Sequence, residues 1–381
     1  MRLLFAAALI YLLALGSVSL GASDQSSPPP NQPSNALPAT RTGADIYAAA
    51  CATCHGRDGH GAPPLVLGFE AVPRDFTDCT TTAEPTPDWF AVVHEGGPIR
   101  ALDRHMPAFG DALTADDITR VVDYLRSFCD GHDTWPLGDL NFPRAFFTEK
   151  AFPENETVWA SDIRTHQKTA IATDVIYERR LGARSQFEVV VPIESTQNRE
   201  ADRHPWVSGV GDVAFAFKHA FLVSNRTGTI AAAGAEMALP TGNYLKEIGN
   251  GYTLYEPFAM FGQALPRHSF FEMHGGIELP GDWRGQKESY LRTAIGTTFA
   301  QDRGYGRSWS PIVEVLYAKP WGEPSEVEVV PQLQVSLSKL QHVLLSVGVR
   351  VPLNKRDTRY ERYLVGVVWD WFDGGLLSFW K

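Results

Sequence analysis

The chain has 381 residues, of which 44% are hydrophobic and 20% charged, with four cysteines and a formal net charge of −10. That length exceeds the usual single domain and the apolar fraction suffices for a packed core, so a wholly disordered chain is excluded and two domains are the starting expectation. The acidic balance argues against nucleic acid and anionic lipid surfaces as partners.

The chain opens with Arg2, an almost unbroken apolar run from Leu3 to Leu15 and small residues through Gly21 and Ala22. This is the three-part pattern of a secretory signal peptide over residues 1–22, with cleavage expected after Gly21 or Ala22 and a retained anchor helix as the alternative. No later stretch approaches the ~18 continuous apolar residues of a membrane helix, so any further membrane contact must be made without helices. Residues 23–40 (SDQSSPPPNQPSNALPAT) hold almost nothing large and apolar and read as a Pro/Ser-rich linker, semi-extended where the prolines cluster. From Arg41 to Trp135 the chain carries 7 Arg against 15 acidic residues, whereas Pro136 to Lys381 carries 26 basic against 28 acidic. The charge is therefore concentrated in the first folded domain, where it would steer a basic redox partner or simply keep the surface soluble.

That domain, residues 41–135, contains Cys51-Ala52-Thr53-Cys54-His55. The two thiols are spaced to form thioethers with haem vinyl groups, and the adjoining histidine is placed to ligate the iron, so one covalent haem c is the expected cofactor. A redox or zinc-binding CxxC is the competing reading; His55, the export signal and the absence of a second CxxC count against it. Gly43 to Ala50 places Ile46, Tyr47 and Ala50 on one face of a short helix running into the cysteine pair. Thr114-Ala115-Asp116-Asp117 forms a capping box for a second helix with Ile118, Val121, Val122 and Leu125 in a stripe. Between them Met106, in Met106-Pro107-Ala108-Phe109-Gly110, is the best candidate for the sixth iron ligand. His94 and His105 are its rivals, and Arg74, Arg100 and Trp89 are candidates for the haem propionates.

The CxxCH after a first helix, the methionine-proline segment about 50 residues later and a terminal helix ending in Tyr-Leu-Arg resemble class I cytochrome c. The resemblance implies a small all-α fold with His55 and Met106 as axial ligands. Cys79 and Cys129 remain once the haem thiols are assigned; an even remainder in an exported domain suggests a disulfide, with two buried free thiols as the alternative.

After a connector (136–158) the period becomes two. Val343, Leu345, Val347, Val349 and Val351 oppose Ser346, Gly348 and Arg350, and Phe215 and Phe217 oppose Ala214, Ala216 and Lys218. About twelve segments of about 10 to 14 residues are legible, beginning near Thr157, Thr169, Gln186, Val210, Thr229, Thr253, Ser269, Ser289, Ser308, Glu326, His342 and Tyr360. Length, alternation and interfacial tryptophans such as Trp206, Trp283, Trp309, Trp321, Trp369, Trp371 and Trp380 fit a transmembrane-type β-barrel over 159–381, with a soluble sandwich as the alternative. Glu236, Glu272, Glu278, Glu314 and Glu328 fall on the lumen side, where they would tune what enters. The stretches Gly209-Val210-Gly211-Asp212-Val213, Gly234-Ala235-Glu236, Leu239-Pro240-Thr241-Gly242 and Trp369 to Gly375 resemble outer-membrane transporter barrels of the family named for a phenol meta-cleavage pathway. That resemblance implies a porin-like barrel with a poorly defined cargo.

The fold expected is thus multidomain: a small all-α cytochrome c domain followed by an antiparallel β-barrel of about 12 strands. The function expected is electron transfer by a haem domain in the periplasm, attached to a barrel in the outer membrane and serving a redox partner protein. The alternative is an outer-membrane porin or transporter for a small solute with an accessory redox domain. No catalytic triad, Walker loop or dinucleotide fingerprint is evident, so a carrier is favoured over an enzyme, with a role as electron acceptor for a partner oxidoreductase left open.

Overall fold

The computed structural model describes residues 41–370 apart from 71, 101, 132–133, 167–168, 198–205, 301–306, 338–340 and 356–357. The expected signal segment and Pro/Ser-rich linker, Trp371 and Trp380 lie outside the described residues.

The helical domain comprises α1 (Gly43–Ala50), α2 (Ala52–His55), α3 (Pro64–Leu67), α4 (Thr86–Glu95) and α5 (Ala115–Arg126). Two of these begin at reciprocal caps. The Thr42 hydroxyl accepts from the Asp45 amide while the Asp45 carboxylate accepts from the Thr42 amide, and Thr114 with Asp117 repeats the device ahead of α5. Each cap satisfies two amides that the first helical turn leaves without partners. Ile118, Val121, Val122 and Leu125 bury the inner face of α5 in one cluster with Ile46 and Tyr47 of α1; each such side chain is worth roughly 1.5–3 kcal/mol of apolar burial. The helices cross closely at Gly43, where any Cβ would run into the Arg120 carbonyl. A disulfide joins Cys79 to Cys129, Cα atoms 5.0 Å apart, tying the segment before α4 to the chain just beyond α5.

The rest of the chain is one antiparallel sheet closed on itself. Its strands are β1 (Glu156–Arg164), β2 (Ala170–Leu181), β3 (Ser185–Gln197), β4 (Trp206–Val210), β5 (Ala214–Ser224), β6 (Thr229–Ala238) and β7 (Leu254–Leu265). There follow β8 (Ser269–Pro280), β9 (Glu288–Thr297), β10 (Phe299–Ala300), β11 (Ser308–Pro320), β12 (Glu326–Ser336), β13 (Val343–Pro352) and β14 (Arg362–Asp370). Each long strand pairs with its sequence neighbour, β3 with β5 and β9 with β11 past the two short strands, and β14 returns to β1 with Asp370 opposite Glu156. The described residues therefore make a closed barrel of twelve long strands, which removes the sheet edges that lipid would not tolerate.

Burial along the strands is the reverse of a soluble protein. On β5, Phe215, Phe217 and Phe221 face outward and exposed while Ala216, Lys218 and Ala220 are buried inward. Inward on β8, β11 and β12 lie Glu272, His274, Glu314, Glu328, Gln332 and Gln334, all buried, opposite exposed Met273, Val313 and Val315. A sandwich buries its large apolar side chains; a membrane barrel shows them to lipid and keeps polar groups in its lumen. One expected strand start, near Val210, is split in two: β4 ends there and β5 begins at Ala214. The cause is Asp212, whose carboxylate accepts from the Gly242 and Asn250 amides and ties the β5 end to the loop after β6.

The barrel's two ends differ. One has short turns at 182–184, 225–228 and 266–268, and the other carries longer connections such as 239–253. The helical domain's exit segment is bonded to the short-turn end: Arg184 donates to the Thr134 carbonyl at 2.8 Å, and Asn225 exchanges bonds with Trp135 and Leu137 at 3.3 and 3.0 Å. Asp139 in turn accepts from the amide and hydroxyl of Thr86 at the start of α4. From there the chain enters the barrel before emerging as β1.

Candidate functional site

Helix α1 delivers Cys51, and the turn of α2 sets Cys54 and His55 one helical step beyond it, with the His55 amide donating to the Cys51 carbonyl at 3.0 Å. Gly56 reverses the chain at φ 75°, a conformation in which a side chain would be strained, so that the Gly61 and Ala62 amides return to the His55 and Cys54 carbonyls. Both thiols are free and half-buried. Burial pushes the Cys51 thiol up to about 11, with a further upward push from Cys54, so an acidic thiolate is not favoured. The His55 ring stacks on Phe76 with centroids 4.8 Å apart, and its buried Nδ1 has no hydrogen-bond partner. Burial pushes the His55 pKa down, against a smaller upward pull from the Arg74 backbone. The imidazole is thus held neutral, the form that binds a metal.

Met106 packs against the same apolar cluster as Cys51 and Ala52. Its loop is laced to the end of α4: the Gly97 amide donates to the Met106 carbonyl, Phe109 to Val93 and Gly110 to His94, each at 3.0 Å. Both rival histidines bond a carboxylate through Nδ1. His105 stacks on Phe69 at 4.3 Å and bonds Asp103 at 2.6 Å, while His94 bonds Glu95 at 3.0 Å and stacks on Phe90. Of the three residues considered for the propionates, Arg100 is paired with Asp88 and Arg74 lies 3.7 Å from Glu84; Trp89 keeps a buried donor, Nε1, without a partner. Leu65, Val66 and Val72, in the chain that follows His55, stand 96%, 74% and 75% exposed. Two uncommitted thiols, a neutral histidine with a bare nitrogen and unpaired apolar and indole surface fit a covalently held haem.

Residues 38–125 match the family described as cytochrome C oxidase, cbb3-type, subunit III. The helical domain is a cytochrome c domain. No curated protein matches the chain. Among solved structures, the KdgM porin shares 11% identity over 56% of this chain and 98% of its own, at a TM-score of 0.39. The COG4313 outer membrane channel from Pseudomonas putida F1 shares 12% over 60% of this chain and 98% of its own, at 0.42. The NanC porin shares 12% over 56% and 98%, at 0.37. The barrel's assignment here rests on its own closure and inside-out burial. The chain thus joins a cytochrome c domain to an outer-membrane-type barrel.

The lumen holds what sequence reasoning missed. The segment read as a connector fills it. Arg144 donates from one Nη1 to Glu156 at 2.7 Å and to Glu178 at 2.6 Å. Lys150 bonds Glu154, Glu156 and Asn141. At the segment's tip, the Phe146, Phe147 and Thr148 amides converge on the Glu314 carboxylate at 2.8, 3.1 and 2.9 Å. Phe142 stacks on Phe270 at 5.5 Å, and Phe152 is wholly buried. Glu328 is bound by Arg350 and Arg359, while Glu236, Glu272 and Glu278 also line the lumen. A sequence signal existed in the density of Phe, Arg, Glu and Lys between 142 and 154, but it has no period.

Proposed function

We propose that the chain is an electron carrier of the outer membrane: one haem c attached through Cys51 and Cys54, with His55 and Met106 as axial ligands, passing electrons at the periplasmic mouth of the barrel. The observation carrying this reading is that the CxxCH turn and Met106 border one apolar cluster, Met106 on a loop laced to the end of α4. Bound haem supplies a one-electron iron couple, which a thioether ligand shifts towards higher potential. Around it, Phe76 orients the His55 ring, Gly97 and Gly110 fix the Met106 loop, and Trp89 offers an indole N–H to a propionate.

The barrel's asymmetry supports the periplasmic placement. Outer-membrane barrels keep short turns on the periplasmic side, and the cytochrome domain is bonded to that end. Its acidic surface favours a basic redox partner by steering. Met106→Ala should abolish the methionine-to-iron charge-transfer band and lower the reduction potential while leaving covalent haem in place. An unchanged spectrum and potential would remove Met106 from the iron.

A further inference from the structure

An eight-stranded barrel is filled by its own side chains and one of sixteen strands leaves an aqueous channel. Twelve strands fall between, so the wall alone would leave a gap, and residues 140–155 occupy it. Their hold is largely polar, beside the apolar packing of Phe142 and Phe152. The tip amides of Phe146, Phe147 and Thr148 are taken up by Glu314 near the middle of β11, with the Thr148 hydroxyl and the Gln332 amide closing on the same carboxylate. Arg292 of β9 donates to the Phe147 carbonyl at 3.3 Å, Gln334 of β12 to Arg144 at 3.1 Å and Lys218 of β5 to Lys150 at 2.7 Å. Gln186 of β3 accepts the Glu154 amide at 2.6 Å, and Arg180 of β2 reaches the Pro153 carbonyl at 2.6 Å.

The wall is in turn built for this segment. Glu178 and Glu188 stand directly opposite each other on β2 and β3, a like-charge pair that costs stability unless a cation intervenes. Arg144 holds Glu178 and Glu156 together, and Lys150 bonds Glu156 from the other side. At the mouth, Arg180 lies over both Trp135 of the exit segment and Phe152 of the lumen segment, at 5.6 and 5.1 Å. One arginine thus touches both ends of the chain that passes into the lumen.

From this geometry we infer that residues 140–155 are a resident plug that keeps the barrel shut to solutes, with the cytochrome domain docked on the short-turn mouth as its base. The barrel at rest is then an anchor that fixes the haem domain, and conduction requires Glu314 to release the tip. The inference stands on the barrel and not on the haem, so either reading survives the failure of the other.

The test is single-channel recording of the full haem-loaded chain in planar bilayers, with amide hydrogen exchange on the same preparation in lipid. The wild-type chain should show no steady conductance, and the amides of Phe146, Phe147 and Thr148 should exchange slowly. Glu314→Ala, checked for folding by heat-modifiable gel mobility, should raise the open fraction by at least about a hundredfold, the equivalent of only one or two of the buried bonds to a charged group. Glu314→Gln, which keeps an acceptor oxygen, should lie between. Steady wild-type conductance overturns the inference, as does fast exchange at those amides. So does a folded Glu314→Ala chain that stays as closed as the wild type. If Glu314→Ala does not fold, the wild-type conductance and exchange decide alone.

Discussion

Arg144→Met removes the cation that bridges two strand carboxylates inside the barrel. Its Nη1 lies 2.7 Å from Glu156 and 2.6 Å from Glu178, and both carboxylates have side chains only 1% exposed. Methionine conserves most of the apolar stem, so the perturbation is chiefly electrostatic. Glu156 keeps Lys150, but Glu178 is left without its ion-pair partner. Breaking one member of a buried pair costs about 3–5 kcal/mol, far above the ~0–1 kcal/mol of an exposed pair. Urea unfolding in lipid vesicles, followed by tryptophan fluorescence, should show that loss as a lower midpoint at an unchanged slope. Adding Glu178→Gln should return at least half of it, because the stranded charge and not the missing contact dominates. A loss below about 1 kcal/mol for Arg144→Met, or no recovery in the double variant, would refute the idea that plug and wall are held by this bridge.

Two further outcomes concern the cytochrome domain. Cys129→Ser should cost about 4 kcal/mol, the closure entropy of the 50-residue interval to Cys79; two alkylatable thiols beyond the haem pair in the unreduced native protein would contradict the bridge. Burial lifts the Asp88 carboxyl to about 6 against the opposing pull of Arg100. A folded pKa above the ordinary 3.8 means the native state holds this proton more tightly, so the group's contribution falls as pH rises from about 4 to about 6 and stays lost above that. The total is about 3 kcal/mol, and Asp88→Asn should flatten the domain's melting temperature across that window. A wild-type slope retained by the variant would show that another group titrates.

The strands were legible because lipid on one side and a polar lumen on the other impose a strict period of two. Eleven of the twelve expected starts fall within a few residues of a long strand, and the twelfth is displaced by Asp212, whose partners Gly242 and Asn250 lie some thirty residues away. The CxxCH motif and the Thr114 capping box were legible because their chemistry is local. The plug was not. Arg144 acquires meaning only from Glu178, and the amides of residues 146–148 only from Glu314, more than 160 positions later. The lumen glutamates illustrate the same limit: alternation placed Glu314 and Glu328 inside, but their partners come from the plug and from Arg350 and Arg359, which no period announces.

The central claim is a covalent haem fixed to the outer membrane by the same chain. Haem staining of a denaturing gel, run on outer-membrane, inner-membrane and soluble periplasmic fractions, tests it in one measurement. The account predicts a stained band in the outer-membrane fraction alone, at the full chain's size less its signal segment, and no stain for a chain carrying both Cys51→Ser and Cys54→Ser. A band that stays unstained in the wild type, or a stained band found in the soluble fraction, would contradict it.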